Sequence, residues 1–418
     1  MKTVKPAVNS EIGKLEAVIL HRPGSEVENM TPQNAERALY SDILNLSIAS
    51  KEYQQLQSVL DKVCNTFQVS ELLADILENG KVRKKLVKEI CRYENMEEAE
   101  DQLQELPSPD LTRQLIEGVP LIKNTLTKYL SNERYLFRPL HNLFFTRDSA
   151  MGMNNSMLVG KMANRVRVRE SMIMDAVFRN HPLFETQIFN PVKEKNTLGN
   201  ITIEGGDFQV ARHNIFVIGT GVRTSTQGID FIIEKLRQTS GEVRHIIVQE
   251  LPAVPESFIH LDMVFTFLDY DACMVYEPIV FEANNYRTIH VELDNGAVKK
   301  IEQENNICSA LKKLGVDMKP VSCGGSADLW IQEREQWHSG ANFFAIAPGK
   351  IIGYERNIHT LDELNGNGFE IISAKDVIDG KKSPDNYKRC VITIAGSELA
   401  RGGGGARCMT MPIVRNEI

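Results

Sequence analysis

Between about Ser70 and Leu130, apolar residues recur every three or four positions and charged residues fill the gaps. Leu72 and Ile76, Leu73 and Leu77, and then Val82, Leu86 and Ile90 fall at four-residue spacing, which places them on one face of successive helices. Ser108-Pro109 reads as an N-cap followed by proline at the first helical position. The stretch 70–133 is therefore expected to be a helical insertion, flanked by an α/β body at 1–69 and 134–418. Ala17-Val18-Ile19-Leu20 has the continuous apolar character of a buried strand. After Pro139 strand patterns dominate. Asn214 to Ile218, His245 to Val248 and Val391 to Ile394 are short apolar runs bounded by turn residues. Phe343 to Ala347 and Ile351 to Tyr354 flank Pro348-Gly349, which predicts a hairpin. A helical pattern near Ile229 to Leu236 separates two strands. No internal repeat is visible, so the expectation is an α/β chain of many short strands.

Composition narrows the function classes. The chain has 418 residues and can bury a large core, in one domain with an insertion or in two to three domains. With 42% hydrophobic and 25% charged residues it falls among soluble globular chains. A formal charge of -7 argues against nucleic acid as the main partner and is compatible with a cationic small molecule. Met1-Lys2-Thr3-Val4-Lys5-Pro6 lacks the apolar core of a signal peptide. No apolar run approaches the roughly 20 residues that span a bilayer, so no membrane association is expected. The seven cysteines are scattered and form no C-x-x-C, which argues against a disulfide framework or a zinc site. A reducing cytoplasm is the expected location.

Four polar clusters interrupt the apolar pattern. They are Asn142-Leu143-Phe144-Phe145-Thr146-Arg147-Asp148, Glu204-Gly205-Gly206-Asp207, His260-Leu261-Asp262-Met263-Val264-Phe265, and the loop Arg401-Gly402-Gly403-Gly404-Gly405-Ala406-Arg407-Cys408. If His260 and Asp262 lie in a strand, they project to the same face with Leu261 turned inward. Each cluster alone has a plainer reading: Asp148 as a surface partner of Arg147, the glycines of the second as a strand-end turn, Cys408 as a core thiol. The glycine run lacks the phosphate-binding pattern G-x-x-x-x-G-K-[ST], and a single RGG-like copy in an acidic chain is a poor RNA-binding segment. Co-occurrence changes the balance. A thiol, a histidine and three carboxylates suit attack on a carbon flanked by nitrogens in a cation. Carboxylates grip a planar guanidinium through paired N–H bonds, a thiolate attacks its central carbon, and a histidine protonates the departing amine.

Taken in order, these clusters resemble the arginine deiminases, guanidino-modifying enzymes of the pentein fold. The likeness runs from Ser10-Glu11-Ile12-Gly13-Lys14-Leu15 and His21-Arg22-Pro23-Gly24 through the four clusters. It also takes in Glu333-Arg334-Glu335-Gln336-Trp337 and Ser397-Glu398-Leu399, and ends at Arg407-Cys408-Met409-Thr410-Met411-Pro412. The resemblance implies a five-bladed pseudo-symmetric α/β propeller as the catalytic body, with 70–133 as an inserted α-helical subdomain. It implies hydrolysis of L-arginine to citrulline and ammonia, without metal or cofactor, by a homo-oligomer (dimer or tetramer). Cys408 is then the nucleophile, His260 the acid and base, Asp148 and Asp262 the guanidinium grip, and Glu204 the partner of His260. Asn142, Phe145 and the loop glycines Gly402 and Gly403 line the pocket, and Arg167 and Arg223 bind the substrate carboxylate. Many relatives carry R-G-R-G-G in the last loop, where this chain has Gly403 in place of the second arginine. Losing that charge-assisted bond costs about 1.5–3 kcal/mol, so weaker arginine binding is expected. The other six cysteines match no catalytic motif. Agmatine, a methylated arginine, a protein arginine, amidinotransfer and a catalytically inactive arginine-binding role stay open as rivals.

Overall fold

The computed structural model describes residues 3–40, 42–194, 199–239, 242–281 and 285–418. Met1 and Lys2, which open the polar N-terminus, lie outside them.

Among the described residues, five sheets share one pattern: two antiparallel strands, joined by a short turn in four of the five, then a third strand parallel to the second. In the first, Ala150–Met153 pairs antiparallel with Ser156–Val159, which pairs parallel with Gln187–Phe189. The second begins with Phe208–Arg212, Ile215–Thr220 and Arg244–Glu250 and gains the hairpin Thr288–Asp294 and Ala297–Glu304 on its far edge. The third is Phe265–Asp269, Ala272–Val275 and Lys319–Ser322. The fourth is Phe344–Ala347, Lys350–Tyr354 and Cys390–Ile394, with Glu370–Ser373 outside. The fifth joins the two ends of the chain: Met411–Arg415 pairs with Leu15–Leu20, which pairs parallel with Asn65–Gln68. A parallel return needs a crossover. Helices Val168–Asn180, Thr226–Thr239, Ile307–Lys313, Ile358–Gly366 and Leu46–Val63 supply it.

The strands expected from the apolar runs are present, including the hairpin across Pro348-Gly349. Central strands such as Val391, Ile392 and Ile394 are wholly buried, as strands covered on both faces must be. Local chemistry sets the helix starts. Asn45 accepts the Ser47 N–H at 3.0 Å, and Asn306 forms a capping box with Ser309.

The amphipathic stretch folds as Val69–Leu77, Gly80–Glu94, Glu100–Gln104, Ser108–Glu117 and Leu126–Leu130. Leu72, Leu73, Ile76, Leu77, Leu86 and Ile90 are buried, and Val82 packs at the rim of the same cluster. That cluster also contains Ile19, Met157 and Ile173, so the helices from Val69 to Glu117 share a core with the sheets, while Leu126–Leu130 buries no side chain. Ser108 departs from its expected role. It is the first helical residue and caps nothing; its hydroxyl accepts from Arg83 Nη2 at 2.5 Å. Arg83 also donates to the Leu77 and Leu106 carbonyls, both at 2.9 Å. A part-buried guanidinium needs acceptors on every side, and that need outweighs the local cap.

Candidate active site

Each candidate motif lies on the turn that enters the first strand of a sheet. Thr146–Asp148 leads into Ala150–Met153, Gly205–Asp207 into Phe208–Arg212, Leu261–Met263 into Phe265–Asp269, and the turn 406–409 into Met411–Arg415. The fourth sheet contributes in the same way through Asn342, just ahead of Phe344–Ala347. Hydrogen bonds link the five turns in a closed ring. The Gly206 N–H donates to Asp148 Oδ1 at 3.1 Å, and the Leu261 N–H to Asp207 Oδ1 at 2.9 Å. Asn342 Nδ2 donates to the Asp262 carbonyl at 3.1 Å, and the Cys408 N–H to Asn342 Oδ1 at 3.1 Å. The Arg147 N–H donates to the Cys408 carbonyl at 3.1 Å and closes the ring.

His260 and Asp262 are not in a strand. His260 is extended and precedes a 3-10 turn that carries Asp262. The turn separates the two side chains: His260 goes to Glu204, with Nε2 2.9 Å from Oε2, while Asp262 goes to Cys408, with Oδ2 3.7 Å from Sγ. A carboxylate and an imidazole in neighbouring strand positions would share one wall; here they flank the thiol from two directions. Gly206 makes this possible, because a Cβ there would lie 2.6 Å from the His260 ring.

One pocket is lined by Cys408, His260, Asp148, Asn142, Phe145, Arg167, Arg223, Gly402 and Gly403, together with Trp337 and Arg401. Glu204 and Asp262 stand behind its wall, both fully buried. All eleven expected residues therefore meet. Asp148 is buried and pairs not with Arg147 but with Arg167, whose Nη1 lies 2.6 Å from Oδ2. Arg167 also donates to Glu170 at 2.8 Å and to the Phe145 carbonyl at 3.2 Å. In this structure its guanidinium thus sits on a carboxylate expected to grip the substrate. Arg223 Nη1 lies 3.5 Å from Glu204 Oε2. Asn142 donates to the Ala38 carbonyl at 2.8 Å.

Charge follows from burial and neighbours. Burial pushes the Cys408 thiol well above its usual range, and the Asp262 and Asp148 carboxylates push it further. Burial opposes a charged His260, but Asp148, Glu204 and Asp207 outweigh it and raise the imidazole to about 9. Burial likewise opposes Glu204, while His260 and Arg223 hold it down to about 2. His260 and Glu204 are therefore an ion pair at neutral pH beside a neutral thiol. Oxygen and nitrogen atoms of Asp148, Glu204 and His260 also lie within 4.8 Å of one another, close enough to share a metal ion.

Of the four loop glycines, Gly403 alone has a positive φ, +82°, and a Cβ there would meet nothing within 4 Å. A Cβ on Gly404 would come within 2.5 Å of the Phe145 ring and 3.0 Å of Cys408. One glycine sets the turn, and the next lets the loop lie against the nucleophile's wall.

The arginine deiminase family model matches residues 36–415. The chain belongs to the arginine deiminase family. Arginine deiminases of Bacillus cereus (strain ATCC 10987 / NRS 248) and Latilactobacillus sakei are 31% identical over 428 residues and 30% over 426, covering 98% of both chains in each case. Solved structures extend the likeness at the level of fold. An amidinotransferase of saxitoxin biosynthesis from Microseira wollei superposes with a TM-score of 0.53 at 12% identity, covering 99% of this chain and 98% of its own. The product-bound N-terminal domain of ArgZ, an arginine dihydrolase of the cyanobacterial ornithine–ammonia cycle, gives 0.53 at 12%, covering 96% and 97%. The fold is mixed α/β with neighbours in the pentein superfamily.

Three residues of this deiminase-family site were given no role by the sequence motifs: Asn342 lies outside them, and Arg407 and Asp207 lie within them. Asn342 Nδ2 lies 3.2 Å from Cys408 Sγ. Arg407, fully buried, joins Asp262 Oδ2 at 2.8 Å to Glu11 Oε2 at 3.1 Å. Burial opposes the Glu11 charge, but Arg407 and Arg147 hold its carboxyl down to about 2. Asp207 bonds to the third turn, and burial pushes it up to about 7. Asn342 had one available signal: a polar residue at the mouth of a hairpin, the position that Asp148 and Asp207 occupy.

Proposed function

We propose that the protein is an arginine deiminase that hydrolyses L-arginine to L-citrulline and ammonia through a Cys408 thiouronium intermediate. The observation that carries this reading is the position of Cys408 Sγ, 3.7 Å from Asp262 Oδ2 and in one pocket with Asp148 and the His260–Glu204 ion pair. The guanidinium binds between Asp148 and Asp262, and Arg167 releases Asp148 as it does so. The incoming cation offsets the two carboxylates that hold the thiol neutral, so the thiol releases its proton to solvent, and the N–H of Asn342 supports the thiolate. Sulfur adds to the guanidinium carbon. His260 gives its proton to the departing nitrogen, and ammonia leaves. Neutral His260 then takes a proton from water, hydroxide adds to the thiouronium, and collapse releases citrulline and the thiolate. Arg223, and Arg167 once freed, take the α-carboxylate. Family membership and these two arginines favour arginine over agmatine, which has no carboxylate for them.

The same reading places five blades around the pocket, supported by the five like sheets and the ring of bonds between their entry turns. It treats 70–133 as a helical insertion on a body made of 1–69 and 134–418. It further proposes a cytoplasmic homo-oligomer, dimer or tetramer. The seven free thiols support a reducing compartment, and among the described residues no helix is long and apolar enough to cross a membrane. Product analysis with L-arginine and agmatine in parallel tests the function. Citrulline and ammonia in equal amounts from arginine alone are expected; turnover of agmatine in preference would overturn the assignment of Arg167 and Arg223.

A further inference from the structure

On the second sheet, at the edge opposite the strand entered by the Gly205–Asp207 turn, three side chains converge that the deiminase reading does not use. His290 lies in Thr288–Asp294 directly across from Glu302, and Glu304 is the diagonal neighbour two residues on. Alternation puts all three on one face. His290 Nδ1 is 3.7 Å from Glu302 Oε1 and 4.0 Å from Glu304 Oε1. One ligand atom from each residue lies within 4.8 Å of the others. These separations are too long for hydrogen bonds.

The surroundings orient this set. Lys300 holds the other oxygen of Glu302 at 2.6 Å, and Lys313 the other oxygen of Glu304 at 2.6 Å. Each Oε1 is left toward the histidine. Glu304 is 5% exposed, and its Oε1 is a buried oxygen with no hydrogen-bond partner. A buried carboxylate oxygen without a partner is costly. Behind the imidazole, His290 Nε2 lies 3.0 Å from His245 Nδ1. When His290 donates that proton, its Nδ1 lone pair faces the two carboxylate oxygens. An outer hydrogen bond that turns a histidine nitrogen toward a site is the usual support of a metal ligand.

We propose that His290, Glu302 and Glu304 bind a divalent transition-metal ion of the zinc class. One nitrogen and two carboxylate oxygens are a donor set that zinc accepts, with a fourth position for water. At metal–ligand distances of about 2.0–2.2 Å, neighbouring ligands of a tetrahedral ion sit about 3.3–3.6 Å apart. The observed 3.7 and 4.0 Å need to close by only a few tenths of an ångström. Glu302, a third exposed, opens the site to solvent. The two lysines already balance the carboxylates, so the affinity is moderate and the role is to tie the two strands of the outer hairpin together.

Isothermal titration with Zn2+ of chelator-stripped wild-type protein, Glu302→Gln and Glu304→Gln tests this without any activity assay. Wild type is expected to bind one equivalent more than either variant, or to bind that equivalent at least tenfold more tightly. The imidazole resonances of His290 should move with Zn2+ in wild type. Equal stoichiometry and affinity in all three proteins would place any bound zinc elsewhere and overturn the proposal. So would a His290 that titrates with pH but does not respond to Zn2+, because the cation between the glutamates is then a proton. Glu302→Gln alters a partly exposed side chain and keeps the test valid if Glu304→Gln fails to fold.

Discussion

The helices between Val69 and Glu117 and the ring of entry turns around Cys408 are both buried, yet they are held together by different forces. The helices bury leucines, isoleucines and valines spaced by three and four residues, and contribute through apolar area. The ring buries Asp148, Glu204, Asp207, Asp262, His260, Arg167 and Arg407, each meeting at least one charge or hydrogen bond from another part of the chain. Breaking a helix contact should cost stability and leave the chemistry intact. Breaking a ring contact should cost the chemistry first, because the partners set the charge state of one thiol and one imidazole.

The largest effect is expected for Cys408→Ala. Citrulline formation should fall on the order of 10⁶-fold while the melting temperature stays within a few degrees of wild type; retained turnover would sink the thiouronium mechanism. Asn342→Ala removes the N–H beside the sulfur and a link between three turns. It should lower kcat by about 10²-fold, read in steady-state kinetics at saturating arginine. Leu73→Ala sharpens the contrast from the other side. Leu73 is fully buried, so denaturant titration should show a loss of about 2–5 kcal/mol, with kcat of the folded protein unchanged.

The pH dependence of stability addresses the ring again. The folded state raises His260 from 6.5 to about 9, so the stability this gives is complete below pH 6.5 and is lost as pH rises through about 9. Asp207, raised from 3.8 to about 7, acts in the same sense at lower pH. Unfolding free energies between pH 6 and 10 should decline by roughly a few kcal/mol in wild type, because a tenfold change in proton affinity corresponds to about 1.4 kcal/mol. His260→Gln should flatten the decline; an equal decline in the variant would mean that other groups carry it. The smallest effect concerns Gly403. A side chain at φ +82° costs about 1–2 kcal/mol, close to what a restored arginine–carboxylate bond contributes. Gly403→Arg should therefore change the KM for L-arginine by less than about tenfold, and Gly403→Ala should lower the melting temperature by a few degrees.

Much of the helical stretch was legible because helix periodicity is local: Leu72, Leu73, Ile76 and Leu86 announce their face within a few turns. The strand runs were legible for the same reason. The site was legible as a set of motifs, since thiol, imidazole and carboxylates of the right kinds stood in order, but its geometry was not. The sequence suggested a strand for His260 to Asp262, and the chain makes a 3-10 turn. It suggested Arg147 as a neighbour of Asp148, and Arg167 takes that place. Asn342 lay outside the motifs, and nothing local announced that Arg407 would pair with Glu11.

From sequence alone came the elements, the candidate nucleophile and its partners, and a likeness to a deiminase family. These depend on residue type and on spacing within a few positions. The tertiary structure decided which carboxylate meets which cation, the upward shift of the thiol, and the recurrence of one sheet pattern that no sequence repeat betrays. Those follow from contacts between residues hundreds of positions apart, as the 396 between Glu11 and Arg407. In a buried site, charge is set by whatever lies within a few ångströms, however distant along the chain.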